Sequence, residues 1–473
     1  MSKERGNWGS SIGFVLAAAG SAIGLGNLWK FPYLAGQNGG GAFVVVYLAF
    51  IVILGFSLML GEMAIGKKGQ LDAYGSYNAI KKGWGIAGFF GILTCFIIYS
   101  YYIVIAGWIV KYITFYITGG LKEDPVNVFG SFISSGTSPI IYSLIIVGVT
   151  AFIVLKGISG GIEKASKIMM PILFVFLIIT VLRSVTLPGA SKGLVYFLKP
   201  NFSAITPQVV LAAVGQVFFS LSLGMGVMIT YGSYLPKDSN LPKNAIYIPV
   251  LDTLVALLAG LAILPAVFAF GLEPTAGPGL IFITLPKVFS AMPLGNLFGI
   301  IFFILVLFAA LTSTISLLEV VVSFAGDQFK VERKKAVLLI SGIIAILAIP
   351  NSNSFGSMAN FKIFGRNFFD FGGFLTDNIL LPLGGLLLCI FIGFIWNKDE
   401  LKQEVTNNET ISFKYFDLWV FGMKFVGVQL LSLILLQALG VSGILLNGLL
   451  LAIFAVQVTF SMKEKKNSVN PAR

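Results

Sequence analysis

The feature that most constrains this chain is a succession of long apolar stretches separated by Gly, Pro and small clusters of charge. A helix needs roughly 20 apolar residues to cross a bilayer's hydrocarbon core, and only helices or closed barrels satisfy their backbone there. Such stretches occupy residues 10–36, 41–66, 86–113, 139–155, 160–183, 207–234, 243–270, 295–326, 334–349, 371–396, 413–438 and 441–461. They predict an all-α polytopic membrane protein of about twelve transmembrane helices. The last two are the least distinct, because only Gly440 and Ser442-Gly443 interrupt them. Composition agrees: 57% of the 473 residues are hydrophobic and 11% charged, with a mean hydropathy of +0.92. Soluble domains carry about a quarter charged residues, so a soluble enzyme, a nucleic-acid binder and a disordered chain are excluded.

The net charge of +12 suggests an anionic partner until its distribution is followed. If the N-terminus is cytoplasmic, most Lys and Arg fall on inside segments, among them Lys3, Arg5, Lys67, Lys68, Lys81, Lys82, Lys237, Arg333, Lys334, Lys335 and Lys465. Far fewer fall outside, such as Lys30, Lys122, Lys199 and Arg366, and Lys424 stays within a span. The positive-inside rule then places both termini in the cytoplasm of a multi-pass cell-membrane protein. The excess charge is largely topology, which leaves nothing for nucleic acid to explain. A cleaved leader is the competing reading of the N-terminus, since Ala17-Ala18-Ala19 follows Lys3 and Arg5. Cleavage there would discard the unusual segment that comes next, so retention is expected.

Histidine is absent, which removes imidazole as metal ligand, proton shuttle or catalytic base. Ion chemistry must use oxygen ligands. Cys95 and Cys389 lie in apolar stretches and read as packed thiols. Gly61 to Lys68 has the spacing of a phosphate-binding loop, but Lys68 stands where a hydroxyl is needed.

Two segments break the helical pattern: Gly20-Ser21-Ala22-Ile23-Gly24-Leu25-Gly26-Asn27 in the first span and Ser220-Leu221-Ser222-Leu223-Gly224-Met225-Gly226 in the sixth. Each Gly costs a helix about 1 kcal/mol relative to Ala. One such segment reads as close helix packing. Two, at corresponding places in two five-span halves, read as discontinuous helices of a 5+5 inverted repeat meeting at a binding site. Freed carbonyls suit a cation, and freed amides at a half-helix N-terminus suit a carboxylate. Asp252, deep in the seventh span with no Lys or Arg near it in that span, needs a metal ion, a proton or donors from another helix. Glu62 reads equally as a cap on loose backbone or a transport residue; Glu319 and Asp327 follow on the eighth span. The hydroxyl cluster Thr312-Ser313-Thr314 and Ser316 completes a set suited to a hard cation.

Here the sequence resembles the neurotransmitter:sodium symporters, in particular their bacterial leucine-transporter-like amino-acid members, over nearly the whole chain. The motifs are Trp8, Gly24-Leu25-Gly26-Asn27-Leu28-Trp29-Lys30-Phe31-Pro32, Asn38-Gly39-Gly40-Gly41-Ala42-Phe43, Gly215-Gln216-Val217-Phe218-Phe219-Ser220 and Ala310-Leu311-Thr312-Ser313. The resemblance implies a first sodium site of Ala22, Asn27, Ser220 and Asp252 with the substrate carboxylate. It implies a second of Gly20, Ile23, Ala309, Thr312 and Ser313. The substrate site would comprise Ser21, Ala22, Leu25, Gly26, Ile98, Tyr102, Phe219, Ser220, Ser222, Met225, Ser313 and Leu317, with Tyr102 on the carboxylate and Phe219 closing over it. The inner gate matches Arg5 with Asp327, near Ser233 and Tyr234. The outer gate matches Lys30 with Asp370, with Asp377 as the alternative two turns on.

The chain departs from the family at informative places. Chloride-dependent animal members carry a Ser one turn after an Asn at the position of Asp252; Ala256 stands there here, so no chloride is expected. Amine transporters carry an Asp where this chain has Gly24, which favours an amino acid with its own carboxylate. Lys30 replaces the family's Arg, a point charge for a bidentate fork. Met225 replaces an aromatic residue of the leucine transporter, and the site has no side-chain charge. The expectation is therefore sodium-coupled import of neutral amino acids by alternating access, preferentially large hydrophobic or aromatic ones, with two Na+ ions, in a bacterial inner membrane. An ion channel, a membrane-embedded enzyme and a small-amino-acid symporter are the rivals. Expected units are a tail (1–9), a transport core (10–396, repeats 10–183 and 207–396), a cytoplasmic loop (397–412), spans eleven and twelve (413–461) and a tail (462–473). The partners are an amino-acid substrate and membrane lipids, and a homodimer is compatible.

Overall fold

The computed structural model describes residues 6–274 and 277–469. Among the described residues the chain is helical, with only two isolated bridges, Gly40 to Pro200 and Ile363 to Arg366. Ten helices are long and apolar enough to cross a membrane: Gly41–Gly69, Gly85–Ile117, Thr137–Leu155, Ile158–Val185, Leu241–Ala269, Gly295–Phe329, Arg333–Asn353, Phe368–Ile395, Phe416–Ala438 and Gly443–Met462. Two further crossings are broken. Ser11–Ala22 and Gly26–Gln37 meet at 49°, and Pro207–Ser220 is separated from Val227–Gly232 by the non-helical residues 221–226. Counted together these make the twelve spans read from the sequence, with the first and sixth interrupted.

Most spans outrun their apolar runs because polar ends carry the helix beyond the hydrocarbon; the eighth continues through Asp327 to Phe329. The eleventh and twelfth spans are separate helices, parted where Gly440 and Gly443 adopt φ of +81° and +62°. Five spans are an odd number, so the second set of five starts from the opposite face. The two broken spans therefore run antiparallel, and their breaks meet. The third and eighth spans pack along one another, as do the fifth and seventh, around the broken pair.

Short helices lie across the ends of the spans. Ala73–Ile80 starts at Asp72, whose carboxylate accepts from the amides of Tyr74 and Gly75, a side-chain cap for otherwise orphaned donors. Lys398–Val405 is capped in the same way by Asn397. Cys95 and Cys389 are buried and free, as their apolar context implied.

The break in the sixth span depends on left-handed backbone at alternate residues: Ser222 (φ 53°), Gly224 (76°) and Gly226 (74°). A Cβ on Gly224 would lie 2.4 Å from the carbonyl oxygen of Leu381, so both conformation and space require glycine. Gly224→Ala should lower the thermal unfolding midpoint in detergent, with a cost of about 1–3 kcal/mol. Gly215→Ala, on a helix with open space around it, should leave that midpoint unchanged or slightly raised.

Candidate functional site

The first span ends its N-terminal half at Ala22 because Ile23 turns to an extended ψ of 95°. A helix end leaves its last carbonyls without amide partners. Here the Ser21 carbonyl accepts from the hydroxyls of Ser222 (3.0 Å) and Ser313 (3.2 Å). Across the break, the Gly24 amide donates to Asn27 Oδ1 (3.1 Å), and the Leu25 amide donates to the Tyr102 hydroxyl (3.0 Å). The Gly26 carbonyl accepts from Gln216 Nε2 (2.8 Å). In the sixth span the Gly224 amide donates to Glu62 (2.7 Å), and the Met225 carbonyl accepts from the Cys95 thiol (3.1 Å). Glu62 thus takes the capping alternative left open by the sequence.

Between the two breaks lies a cavity with about 350 Å³ of space unfilled by atoms. Its walls are Ser21, Ala22, Gly24, Gly26, Ile98, Tyr102, Phe219, Ser222, Met225, Ser313, Ser316 and Leu317. Two of the expected residues do not line it. Leu25 contributes its backbone amide to Tyr102, and Ser220 turns away to donate to Asp252 Oδ2 at 2.8 Å. Ser316 lines it although sequence reasoning did not place it there, and so does Gly24, the position where amine transporters carry an Asp. A Cβ on Gly24 would come within 2.6 Å of Ser313 Oγ and 2.9 Å of the Tyr102 hydroxyl, so its bareness shapes the cavity.

Asn27, Ser220 and Asp252, drawn from three spans, converge beside this cavity. Asn27 Nδ2 donates to Asp252 Oδ1 (2.8 Å), to the Asp252 carbonyl (3.1 Å) and to Ser220 Oγ (3.0 Å). The Tyr47 hydroxyl stands 3.4 Å from Asp252 Oδ2 and from Ser220 Oγ. Tyr47 joins this network and Gln216 serves the Gly26 carbonyl beside it; neither received a role from the sequence, where the signal was a polar group inside an apolar span. Asp252 is fully buried, and its carboxylate meets neutral donors only. A buried carboxylate is costly unless a counter-charge accompanies it, so the cluster suits a small cation.

The second constellation is looser. Thr312 Oγ1 donates to the Ala309 carbonyl at 3.0 Å, and the same carbonyl, 3.2 Å from Ser313 Oγ, is the alternative to the Ser21 carbonyl for that hydroxyl's single proton. Gly20 packs against Thr312, where an added Cβ would sit 3.2 Å from the Thr312 methyl. Ile23 caps the broken helix close by. Among the described residues no group of three or more His, Cys, Asp or Glu could hold a metal ion. Carbonyls, hydroxyls and the Asp252 carboxylate are the available oxygen donors, which is the chemistry of a hard monovalent ion.

On the face remote from the N-terminus, Lys30 pairs with Asp377 at 2.7 Å. Its Nζ also lies 4.1 Å from the centroid of the Phe219 ring. Asp370, the acid first matched to Lys30, is exposed near the start of the tenth span, its amide bonded to Asn367. The correction arises because the Gly-rich stretch between the two acids occupies helix, which carries Asp377 two turns deeper towards Lys30. On the N-terminal face Arg5 lies outside the described residues, and Asp327 accepts from the Asp72 amide at 2.7 Å. Glu319 is held by both guanidinium nitrogens of Arg333 (3.0 and 2.6 Å) and by the Tyr234 hydroxyl (2.7 Å). Trp8 Nε1 donates to the Tyr231 carbonyl at 3.0 Å.

Twelve spans, the first ten in two inverted repeats of five, with a cavity and oxygen-rich pockets at paired helix breaks, define an ion-coupled secondary transporter rather than an enzyme. The chain belongs to the sodium:neurotransmitter symporter family, whose model matches residues 5–128 and 132–469. It is 42% identical over 440 residues to an uncharacterized sodium-dependent transporter of Bacillus subtilis, YhdH, covering 92% of this chain and 98% of that one. A sodium-dependent transporter of Methanocaldococcus jannaschii is 37% identical over 423 residues, covering 85% and 84% of the two chains. The solved structure of MhsT in complex with L-phenylalanine has a TM-score of 0.85 at 43% identity, covering 92% of this chain and all of that one. The protein is thus a sodium-dependent, multi-pass membrane transporter.

Both Lys30 and Asp377 keep contact with solvent, at 22% and 29% exposure, so their pairing should contribute less than about 1 kcal/mol to stability. A double-mutant cycle with Lys30→Met and Asp377→Asn, read by thermal unfolding, should show a coupling of that size. The same cycle with Asp370→Asn should be additive.

Proposed function

We propose that the protein imports neutral amino acids with large hydrophobic or aromatic side chains, such as tyrosine, tryptophan, phenylalanine and leucine, together with two sodium ions and independently of chloride. The observation that carries this reading is the polarity of the cavity. Around it stand the break in the first span, with the Tyr102 hydroxyl on the Leu25 amide, and the apolar side chains of Ile98, Met225 and Leu317. No charged side chain lines it, so neither a basic nor an acidic side chain finds a partner. MhsT, whose structure holds L-phenylalanine, offers a precedent at 43% identity.

In this reading the substrate carboxylate lies at the first break, bound by Tyr102. It joins Ala22, Asn27, Ser220 and Asp252 in coordinating the first sodium ion. The second ion sits among Gly20, Ile23, Ala309, Thr312 and Ser313, bridging the first and eighth spans. The fixed carboxylate of Asp252 supplies the negative charge that makes chloride unnecessary. Phe219 with Lys30 and Asp377 closes the outer route; Asp327 with Arg5 closes the inner one, on the cytoplasmic side that the basic loops and both termini share. The membrane is then a bacterial inner membrane, and the core of residues 10–396 performs the cycle. Each sodium ion moving down 100 mV supplies about 2.3 kcal/mol, so two sustain roughly a thousandfold accumulation from the potential alone. Once sodium leaves, Asp252 would be a buried charge facing neutral donors, and the empty carrier returns with it protonated.

Proteoliposomes with an inward sodium gradient should accumulate labelled tyrosine, phenylalanine or leucine above equilibrium, with no loss when gluconate replaces chloride. Uptake confined to glycine or alanine, or abolished without chloride, would overturn the corresponding part of the reading. Tyr102→Phe removes a hydrogen bond to a charged group and should weaken substrate binding by about 1.5–3 kcal/mol, some tenfold or more. Collapsing a pH gradient should slow turnover of the native protein, and Asp252→Asn should abolish that pH sensitivity along with most transport.

A further inference from the structure

The half-helix Val227–Gly232 runs from the cavity, where Met225 lines the wall, to the N-terminal face, where the Trp8 ring stands against Tyr231 and Tyr234. It is therefore part of the barrier between the cavity and that face. Its backbone is pressed onto the second span. A Cβ on Gly66 would overlap the Ile229 carbonyl oxygen, and one on Gly232 would come within 2.9 Å of the Met63 carbonyl oxygen. Packing this close leaves no room for sliding, so the end of the second span and the half-helix shift as one body.

Residues 397–412, which join the tenth and eleventh spans, are fastened to both ends of that body. Lys67 follows Gly66 in the last turn of the second span, and its side chain is 2% exposed. Its ammonium meets the Glu404 carboxylate (3.3 Å), the Glu404 carbonyl (3.2 Å) and Asn407 Oδ1. Nδ2 of the same Asn407 carboxamide donates to the carbonyls of Asp238 (2.8 Å) and Ser239 (3.3 Å), just beyond the half-helix. One side chain thus accepts from a cation and donates to backbone, which a carboxylate of the same shape cannot do. The link is also strained: Asn407, Asn408 and Glu409 hold φ of +49°, +54° and +68° in succession, a left-handed run that residues other than Gly keep only when their surroundings impose it. Leu401 and Val405, both fully buried, anchor its short helix Lys398–Val405.

We infer that residues 397–412 are a strap that holds the second-span end and the sixth span's half-helix where they shut the cavity towards the N-terminal face. Release of the bridge from Lys67 through Asn407 to Asp238 is then a step in opening that face. A wholly polar pocket lined by Lys68, Lys237, Gln403 and Asn408 adjoins the bridge, so water can take over the Lys67 ammonium when the strap lets go. Because the bridge exists only in the shut arrangement, weakening it shifts the balance towards the open one. The inference rests on the transporter class and not on the choice of substrate.

The test is hydrogen–deuterium exchange of the full chain in lipid nanodiscs with saturating sodium chloride, read peptide by peptide. Asn407→Asp keeps an acceptor for Lys67 and tolerates left-handed backbone as Asn does, but withdraws both hydrogen bonds to the carbonyls of Asp238 and Ser239. Glu404→Gln removes the counter-charge of Lys67 and serves as the test should the first variant fail to fold. Each should speed exchange in residues 227–235 about three- to tenfold, the shift expected from losing one hydrogen bond, and leave Pro207–Ser220 on the far side of the break unchanged. Exchange that rises only within 397–412, or uniformly along the chain, marks a loop that braces the fold without gating the cavity and overturns the inference, as does no change in either variant. The readout uses no substrate, so failure of every amino acid to be accumulated would overturn the functional reading above and leave this comparison standing.

Discussion

Two interrupted helices leave amides and carbonyls open where water is scarce, and the centre of this molecule is organised around satisfying them. Each unsatisfied group would cost several kcal/mol in such surroundings. The partners come from other spans: Tyr102 from the third serves Leu25, Gln216 from the sixth serves Gly26, and Glu62 from the second serves Gly224. Ser222 and Ser313 together serve the Ser21 carbonyl. The breaks therefore bind the bundle together, and the groups that satisfy them are the same ones that surround the cavity. A substrate carboxylate or a cation arriving there meets backbone and hydroxyls already oriented towards it.

Three buried acids show how differently this environment treats negative charge. Glu319 has the guanidinium of Arg333 at 2.6 Å and the Tyr234 hydroxyl, so its charge is answered by protein. Glu62 meets a backbone amide at the second break. Asp252 meets only Asn27, Ser220 and Tyr47, all neutral. Neutral donors orient a carboxylate but do not cancel it, so neither Asp252 nor Glu62 has a protein counter-charge; Asp252, grouped with Asn27, Ser220 and Tyr47 beside the cavity, is the one surrounded by further oxygen donors for a mobile positive charge.

Much of this was legible in the chain. Helix number, the positions of the two breaks and most of the cavity residues follow from apolar run length, glycine spacing and motif. These signals are local, since the bilayer fixes span length and glycine weakens a helix wherever it falls. Less legible was anything set by contact between spans. The choice of Asp377 over Asp370 depended on how far the Gly-rich start of the tenth span had wound into helix before reaching Lys30. Ser316 was visible as a hydroxyl, but which face of its helix met the cavity was not. Tyr47 and Gln216 looked like isolated polar residues in apolar spans; only packing brought Tyr47 to Asp252 and Gln216 to the Gly26 carbonyl.

The sequence by itself determined that the chain crosses a membrane about twelve times, that its first and sixth spans are interrupted, and that an ion site must be built from oxygen. These follow from solvent, backbone chemistry and the absence of imidazole, which need no knowledge of neighbours. Tertiary structure alone decided which acid meets Lys30, which donors surround Asp252, and which serine hydroxyls meet across the helix breaks. Hydrogen-bond direction and ion pairing act over about 3 Å, and only packing brings residues some hundreds of positions apart to that distance.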